Sequence, residues 1–265
     1  MSRKTRDRYS EDVAMSRKMF ACLVLVSFAA VCAVFSPVLY SAGGDLKEKS
    51  GEAVQAIQSG VEISTEQLKE ILASGKGRVI DVRPPKEYAI SHIPGSTNVF
   101  ENDIEAMMRL CPDKAAPVVF YCNGPHCHKT VRVAEKLVKN GYTNIKKYHL
   151  GLPVWRAVGN TAETDLGGFK HVYGADKTAV FIDARSPEEY KAGTAPGSVN
   201  MKPGEAEAAN RDGRLPYTDH GTRIIVFGSG PDQARRLAEE IAQRAYWNSG
   251  YFSGTYEDLK KAGLW

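Results

Sequence analysis

Val79-Ile80-Asp81-Val82-Arg83-Pro84-Pro85-Lys86-Glu87-Tyr88 and Phe181-Ile182-Asp183-Ala184-Arg185-Ser186-Pro187-Glu188-Glu189-Tyr190 are one device written twice. In each, a short apolar run closes on an Asp-x-Arg pair and a proline-led segment follows. The apolar run reads as a buried strand. The proline suits the first turn of a helix, where its missing N–H costs nothing. Further matches keep the same order. Pro94-Gly95-Ser96-Thr97-Asn98 pairs with Pro196-Gly197-Ser198-Val199-Asn200, and Val118 to Pro125 pairs with Ile224 to Pro231. Each unit closes on a glycine and an aromatic, Gly151 with Trp155 and Gly254 with Tyr256. Ordered matches at nearly constant spacing indicate duplication. At about a hundred residues, each unit is large enough to bury its own core.

The rest of the first unit fits an alternation of strands and helices. Ser64 and Gln67 have the spacing of a capping box. Leu68, Ile71 and Leu72 continue with helical spacing. Arg78 to Arg83 and Pro117 to Tyr121 read as strands, and a helix follows Pro84. Lys129 to Asn140 reads as an amphipathic helix, with Val131, Ala134, Leu137 and Val138 on one face and Gly141 as its stop. Such alternation predicts an α/β fold: two tandem domains, each a central parallel sheet flanked by helices. The expected boundaries are 61–159 and 160–265, with residues 160–175 as linker and entry helix.

Ahead of the domains, residues 1–18 are basic and residues 19–40 are apolar, beginning Met19-Phe20-Ala21-Cys22-Leu23. A basic segment before an uncharged run is the layout of a signal peptide or a transmembrane anchor. The run is about long enough to span a bilayer. Its basic side should stay in the cytoplasm. The expectation is an exported protein, on the periplasmic side of the inner membrane if anchored there, or soluble in the periplasm if the signal is cleaved. Residues 41–60 read as a tether. The net charge of +4 owes much to residues 1–18. No basic patch in the remainder points to nucleic acid.

Of five cysteines, Cys22 and Cys32 lie in the apolar run. Cys111, Cys122 and Cys127 are too few for a disulfide framework, which turns attention to thiol chemistry. Cys122 ends the strand Val118 to Tyr121. The loop Asn123-Gly124-Pro125-His126-Cys127-His128 separates it from the next helix. Placement before a helix N-terminus brings N–H groups and the positive dipole end towards a thiolate. Gly124 lets the chain wrap closely, and Pro125 stiffens the turn. Successive N–H groups of such a loop can form an anion-holding nest. His126, His128 and Lys129 add charge near it. Gly228 stands at the matching place of the second unit, so the nucleophile is single. Asp81 and Arg83 recur as Asp183 and Arg185 in the unit without the cysteine. That recurrence assigns them to structural ion pairs at the sheet edge. His92 reads as a turn residue, replaced by Thr194 in the second unit.

The Asp81-Val82-Arg83 strand, the Glu87-Tyr88 helix, the His92-Ile93-Pro94-Gly95-Ser96 turn and the strand ending in Cys122 resemble the rhodanese (thiosulfate sulfurtransferase) superfamily over residues 61–263. The resemblance implies that Cys122 takes a sulfane sulfur from a small donor as a covalent persulfide, with no cofactor and no metal. It then implies transfer to a thiol, to cyanide, or to a protein acceptor. The second domain, lacking the cysteine, is expected to be non-catalytic. Many members carry an Arg five positions after the cysteine, where this chain has Cys127. The departure points to polysulfide or a protein persulfide as donor beside thiosulfate, and makes Cys127 a candidate resolving thiol. Related phosphatases grip oxyanions with an Arg six positions on, where His128 stands. Three other readings remain: a Cys122/Cys127 dithiol redox protein, a metal-binding module using Cys122, His126, Cys127 and His128, and a non-catalytic sulfur-binding module.

Overall fold

The computed structural model describes residues 60–216 and 218–265. The basic segment, the apolar run and all of the tether but Gly60 lie outside them. Among the described residues, no helix is long and apolar enough to cross a membrane.

The first unit runs β1 (Val61–Glu62), α1 (Thr65–Ser74), β2 (Arg78–Asp81), α2 (Pro85–Ile90), β3 (Thr97–Asn98), α3 (Ile104–Leu110), β4 (Val118–Tyr121), α4 (Lys129–Lys139), β5 (Ile145–Tyr148) and α5 (Gly151–Ala157). The second runs β6 (Ala162–Thr164), α6 (Leu166–His171), a π-helical turn at Val172–Asp176, β7 (Ala179–Asp183), α7 (Pro187–Ala192), β8 (Val199–Asn200), α8 (Ala206–Asp212), β9 (Arg223–Phe227), α9 (Pro231–Ala242), β10 (Ser249–Phe252) and α10 (Tyr256–Lys261). Each unit holds a five-stranded sheet, in the orders β1-β5-β4-β2-β3 and β6-β10-β9-β7-β8. All strand pairs within the two sheets are parallel.

Burial follows the two-residue period of the strands. In the first unit Ile80, Val118 and Phe120 face α3 and α4, packing on Met107, Val133, Ala134 and Leu137. Val79, Val119 and Tyr121 face the other side, packing on Leu68, Leu152 and Trp155. Helices therefore cover both faces, which is why these strands are continuously apolar. The first helix starts where the sequence places it: the Ser64 hydroxyl accepts from Gln67 N, and the Gln67 carboxamide accepts from Ser64 N.

The strand order creates the place for a site. From β2 the chain moves outward to β3, whereas from β4 it moves the opposite way to β5. Open parallel sheets bind ligands outside the carboxyl ends of strands at such a switch point. Asp81 to Arg83 and Cys122 occupy those two strand ends.

The two units share a built interface. The second is joined through β6, whose residue Glu163 exchanges both backbone hydrogen bonds with His92, at 2.9 and 2.8 Å. Helix α6 lies against α2 so closely that a Cβ on Gly168 would fall 1.9 Å from the Ala89 carbonyl oxygen. His92, expected as a turn residue, thus also pairs with the edge strand of the second sheet.

Candidate active site around Cys122

Cys122 follows β4 directly and is buried. The helix behind its loop begins only at Lys129, so residues 123–128 form an open turn around the sulfur. Gly124 holds this turn with φ +105°, a conformation a side chain resists. The Cys127 N–H closes it onto the Gly124 carbonyl at 2.9 Å. A second glycine is required from outside. Gly151, at φ +66°, starts α5 so close to the loop that a Cβ there would sit 2.4 Å from both Cys122 O and Gly124 N. The Leu152 N–H then takes the Cys122 carbonyl at 3.1 Å.

The loop N–H groups are divided between two sulfurs. Those of Gly124 and Thr130 face Cys122 Sγ, while those of Asn123 and Lys129 face Cys127 Sγ. The Cys122 thiol donates to the Cys127 carbonyl at 3.3 Å. Burial, and then the neighbouring Cys127, push Cys122 up to about 12, with the loop N–H groups pulling it down less strongly. Burial pushes Cys127 up as well. The contact with Cys122, the Lys129 and Asn123 N–H groups and the Lys129 charge outweigh it and leave Cys127 lowered. The expected pull of the loop N–H groups on Cys122 is present, but burial outweighs it. In the free protein the sulfur that the loop favours as thiolate is Cys127. The physical reason is its greater exposure together with the Lys129 and Asn123 N–H groups and the Lys129 charge around it.

The other side chains of the loop are placed less centrally. Asn123, Pro125, His126 and His128 are exposed. Asn123 is held from two sides, donating to Glu87 Oε2 at 2.8 Å and facing Arg83 Nη1 at 3.4 Å. Lys129 and Arg132 both pair with Glu101, at 3.4 and 2.7 Å. Arg83 grips the buried Asp81 carboxylate at 2.5 Å and donates to Ser91 O at 2.7 Å. Its strand β2 lies between β3 and β4. The pair therefore closes an inner strand end, not a sheet edge. Among the described residues no three His, Cys, Asp or Glu side chains converge as a metal site. Cys111, Cys122 and Cys127 are free thiols.

A rhodanese-like domain model matches residues 64–158 and again 170–262. The chain belongs to the rhodanese family. Among its curated relatives, thiosulfate sulfurtransferase GlpE of Pseudomonas aeruginosa is 29% identical over 105 residues, covering 40% of this chain and 91% of the relative. Thiosulfate:glutathione sulfurtransferase of Saccharomyces cerevisiae is 32% identical over 126 residues, covering 41% of this chain and 84% of the relative. A crystal structure of a Pseudomonas aeruginosa thiosulfate sulfurtransferase aligns at 21% identity with a TM-score of 0.38. It covers 79% of this chain, which spans about half of that protein's length, 46%.

The second rhodanese domain repeats the frame and fills the cradle. Asp183 and Arg185 pair at 2.6 Å, as their counterparts do. Tyr256 N takes the Gly228 carbonyl at 2.8 Å, the same closure that Leu152 makes on Cys122. At Gly228, however, a Cβ would meet Gln233 Oε1 at 2.6 Å. That oxygen accepts from Ser229 N at 2.9 Å. Helix α9 also starts three residues after Gly228, where α4 starts seven after Cys122. The space a sulfur would need is taken by a carboxamide, and the open turn is missing.

Thr130 and Arg156 were not singled out by the sequence. Thr130 is fully buried, and its Oγ1 has no hydrogen-bond partner although its N–H faces Cys122 Sγ. A lone Thr in an amphipathic helix gives no pattern from which this could be read.

Proposed function

We propose that this protein is a rhodanese-type sulfurtransferase in which Cys122 carries a sulfane sulfur as a persulfide. The observation that supports this best is the open turn after β4. It holds residues 123–128 out of the helix, and N–H groups of Gly124 and Thr130 face the Cys122 sulfur. The Cys122 thiolate attacks the outer sulfur of the donor. The donor S–S bond breaks as the new S–S bond forms, and the donor's remainder leaves with the electron pair, as sulfite when the donor is thiosulfate. An incoming thiolate or cyanide then attacks the outer sulfur of the persulfide and returns Cys122 as thiolate. The unpartnered Thr130 hydroxyl can donate to that outer sulfur. The raised Cys122 fits a nucleophile activated only as the donor arrives. Its proton can pass to Cys127, whose sulfur the loop holds below the ordinary thiol value.

The donor class follows from the charges. With Lys129 and Arg132 engaged by Glu101, and Cys127 where an Arg would grip an oxyanion, a polysulfide or protein persulfide suits the site as well as thiosulfate. The second domain serves as a non-catalytic partner. Residues 19–40 would tether the domains in the cell envelope, facing the periplasm.

The test is intact mass after incubating the reduced full chain with thiosulfate or polysulfide. The expected result is an adduct of one sulfur atom, lost in Cys122→Ala and retained in Cys127→Ala. Absence of an adduct with both donors overturns the reading. A second reading rests on the contact between Cys122 and Cys127: a dithiol couple, in which an oxidant removes two hydrogens and joins the sulfurs. It predicts a mass lower by two hydrogens, restored by reductant.

A further inference from the structure

Three guanidinium groups lie near one another where the domains meet, and one of them has no counter-ion. Arg83 has Asp81, and Arg223 has Asp176 at 2.6 Å. Arg156 has no carboxylate partner among the described residues. It makes one hydrogen bond, from Nη2 to the Ser91 hydroxyl, and its Nε is buried without a partner. Burial first, then repulsion from Arg83 and Arg223, holds it down to about 10. A buried cation left unpaired is costly, and an apolar residue of like volume would serve the fold better.

Arg156 lines a cleft of about 390 Å³ between the domains. Pro153, Ala157 and Gly159 of the first domain and Ala242, Ala245 and Trp247 of the second complete the wall. Trp247 is 46% exposed, a large apolar ring left uncovered at the rim. The turn that presents it passes through Ala245 at φ +66°, a left-handed conformation that L-residues avoid. The cleft is thus apolar and aromatic, with a single strong cation and no anion of its own. Its volume is in the range of small-molecule sites.

We propose that this interdomain cleft binds a small organic monoanion, a carboxylate or sulfonate with a flat apolar body. The guanidinium takes the anionic head as its missing partner, and the indole of Trp247 covers the body. The site is separate from Cys122, though it touches the same loop: Pro153 also packs against Gly124, where a Cβ would meet its Cγ at 3.8 Å. The ligand is not the sulfur donor, so the proposal stands independently of the chemistry at Cys122.

Benzenesulfonate serves as the probe, titrated calorimetrically into the full chain at constant ionic strength. A saturable one-site isotherm is expected, unchanged in Cys122→Ser. Arg156→Gln should weaken it about tenfold or more, the scale of a lost charge-assisted contact, and Arg156→Lys should restore part of the loss. Trp247→Ala, a change at an exposed side chain, should weaken it with the fold intact. Benzyl alcohol, of similar shape without the charge, should bind no better to the wild type than to Arg156→Gln. Absence of saturable binding, or equal binding by wild type, Arg156→Gln and Trp247→Ala, overturns the proposal.

Discussion

Cys122 and Cys127 titrate against each other, so removing one reads out the other. In Cys127→Ala the neighbouring thiol that helps hold Cys122 up is gone, while burial and the N–H groups of Gly124 and Thr130 remain. The Cys122 pKa should therefore fall below about 12. Alkylation rates followed by mass against pH should show Cys122 reacting at lower pH in Cys127→Ala than in wild type, where Cys127 reacts first. The same pH dependence in both proteins would contradict the coupling. Thr130 gives a second residue-scale test. Its hydroxyl is buried without a partner, which costs about 1 kcal/mol or more in the resting protein. Thr130→Val should therefore raise thermal stability by about 1 kcal/mol while lowering the yield of the sulfur adduct on Cys122. A merely structural threonine would leave the adduct unchanged.

At the scale of elements, strands β2 and β4, their repeats β7 and β9, and the capped first helix were legible because their signals are local. The apolar runs ending in Asp81 and Asp183 are β2 and β7, and the Ser64 box is formed. Helix α3 was not legible, since Ile104-Glu105-Ala106-Met107-Met108-Arg109-Leu110 is too short to establish a period. The Cys122 loop was visible as a loop. Its ionisation was not, because that depends on which sulfur each N–H faces and how deeply each is buried. The helix crossing of α2 and α6 was equally hidden. It depends on Gly168, one of many glycines, which has an ordinary helical φ and stands out only for what lies above it. A Cβ there meets backbone, which cannot swing aside as a side chain can. Gly168→Ala should destabilise the protein by about 3 kcal/mol, the upper end for overpacking, in denaturant unfolding. Gly174→Ala is the control, with nothing within 4 Å of its Cβ, and should change little.

For the whole molecule, duplication supplied one cradle that holds a cysteine and one filled by Gln233, and the interface between them carries its own titrating group. His92 Nδ1 donates to Tyr88 O at 2.9 Å, which turns Nε2 towards Glu163 Oε1 at 3.8 Å. Tyr251 donates to the other Glu163 oxygen at 3.2 Å. His92 is the main cause, and Tyr251 and Ser253 add to it, in holding Glu163 below its ordinary value of 4.5 against the effect of burial. A carboxyl lowered on folding stabilises the folded state above its unfolded pKa, and that contribution is lost as pH falls through the folded value. The interface should thus be firm from neutral pH down to about pH 5 and weaken below about pH 4, as the carboxylate takes a proton. Glu163→Gln keeps the shape and removes the charge. Wild type should melt higher than Glu163→Gln at neutral pH, by the equivalent of about 2 kcal/mol for hydrogen bonds to a charged group. The gap should stay constant down to about pH 5 and close progressively in more acid solution, where both side chains are neutral. A gap that persists unchanged at pH values below the folded pKa would show that Glu163 acts through packing alone, and that its charge does not help hold the cysteine-bearing domain to its cysteine-less copy.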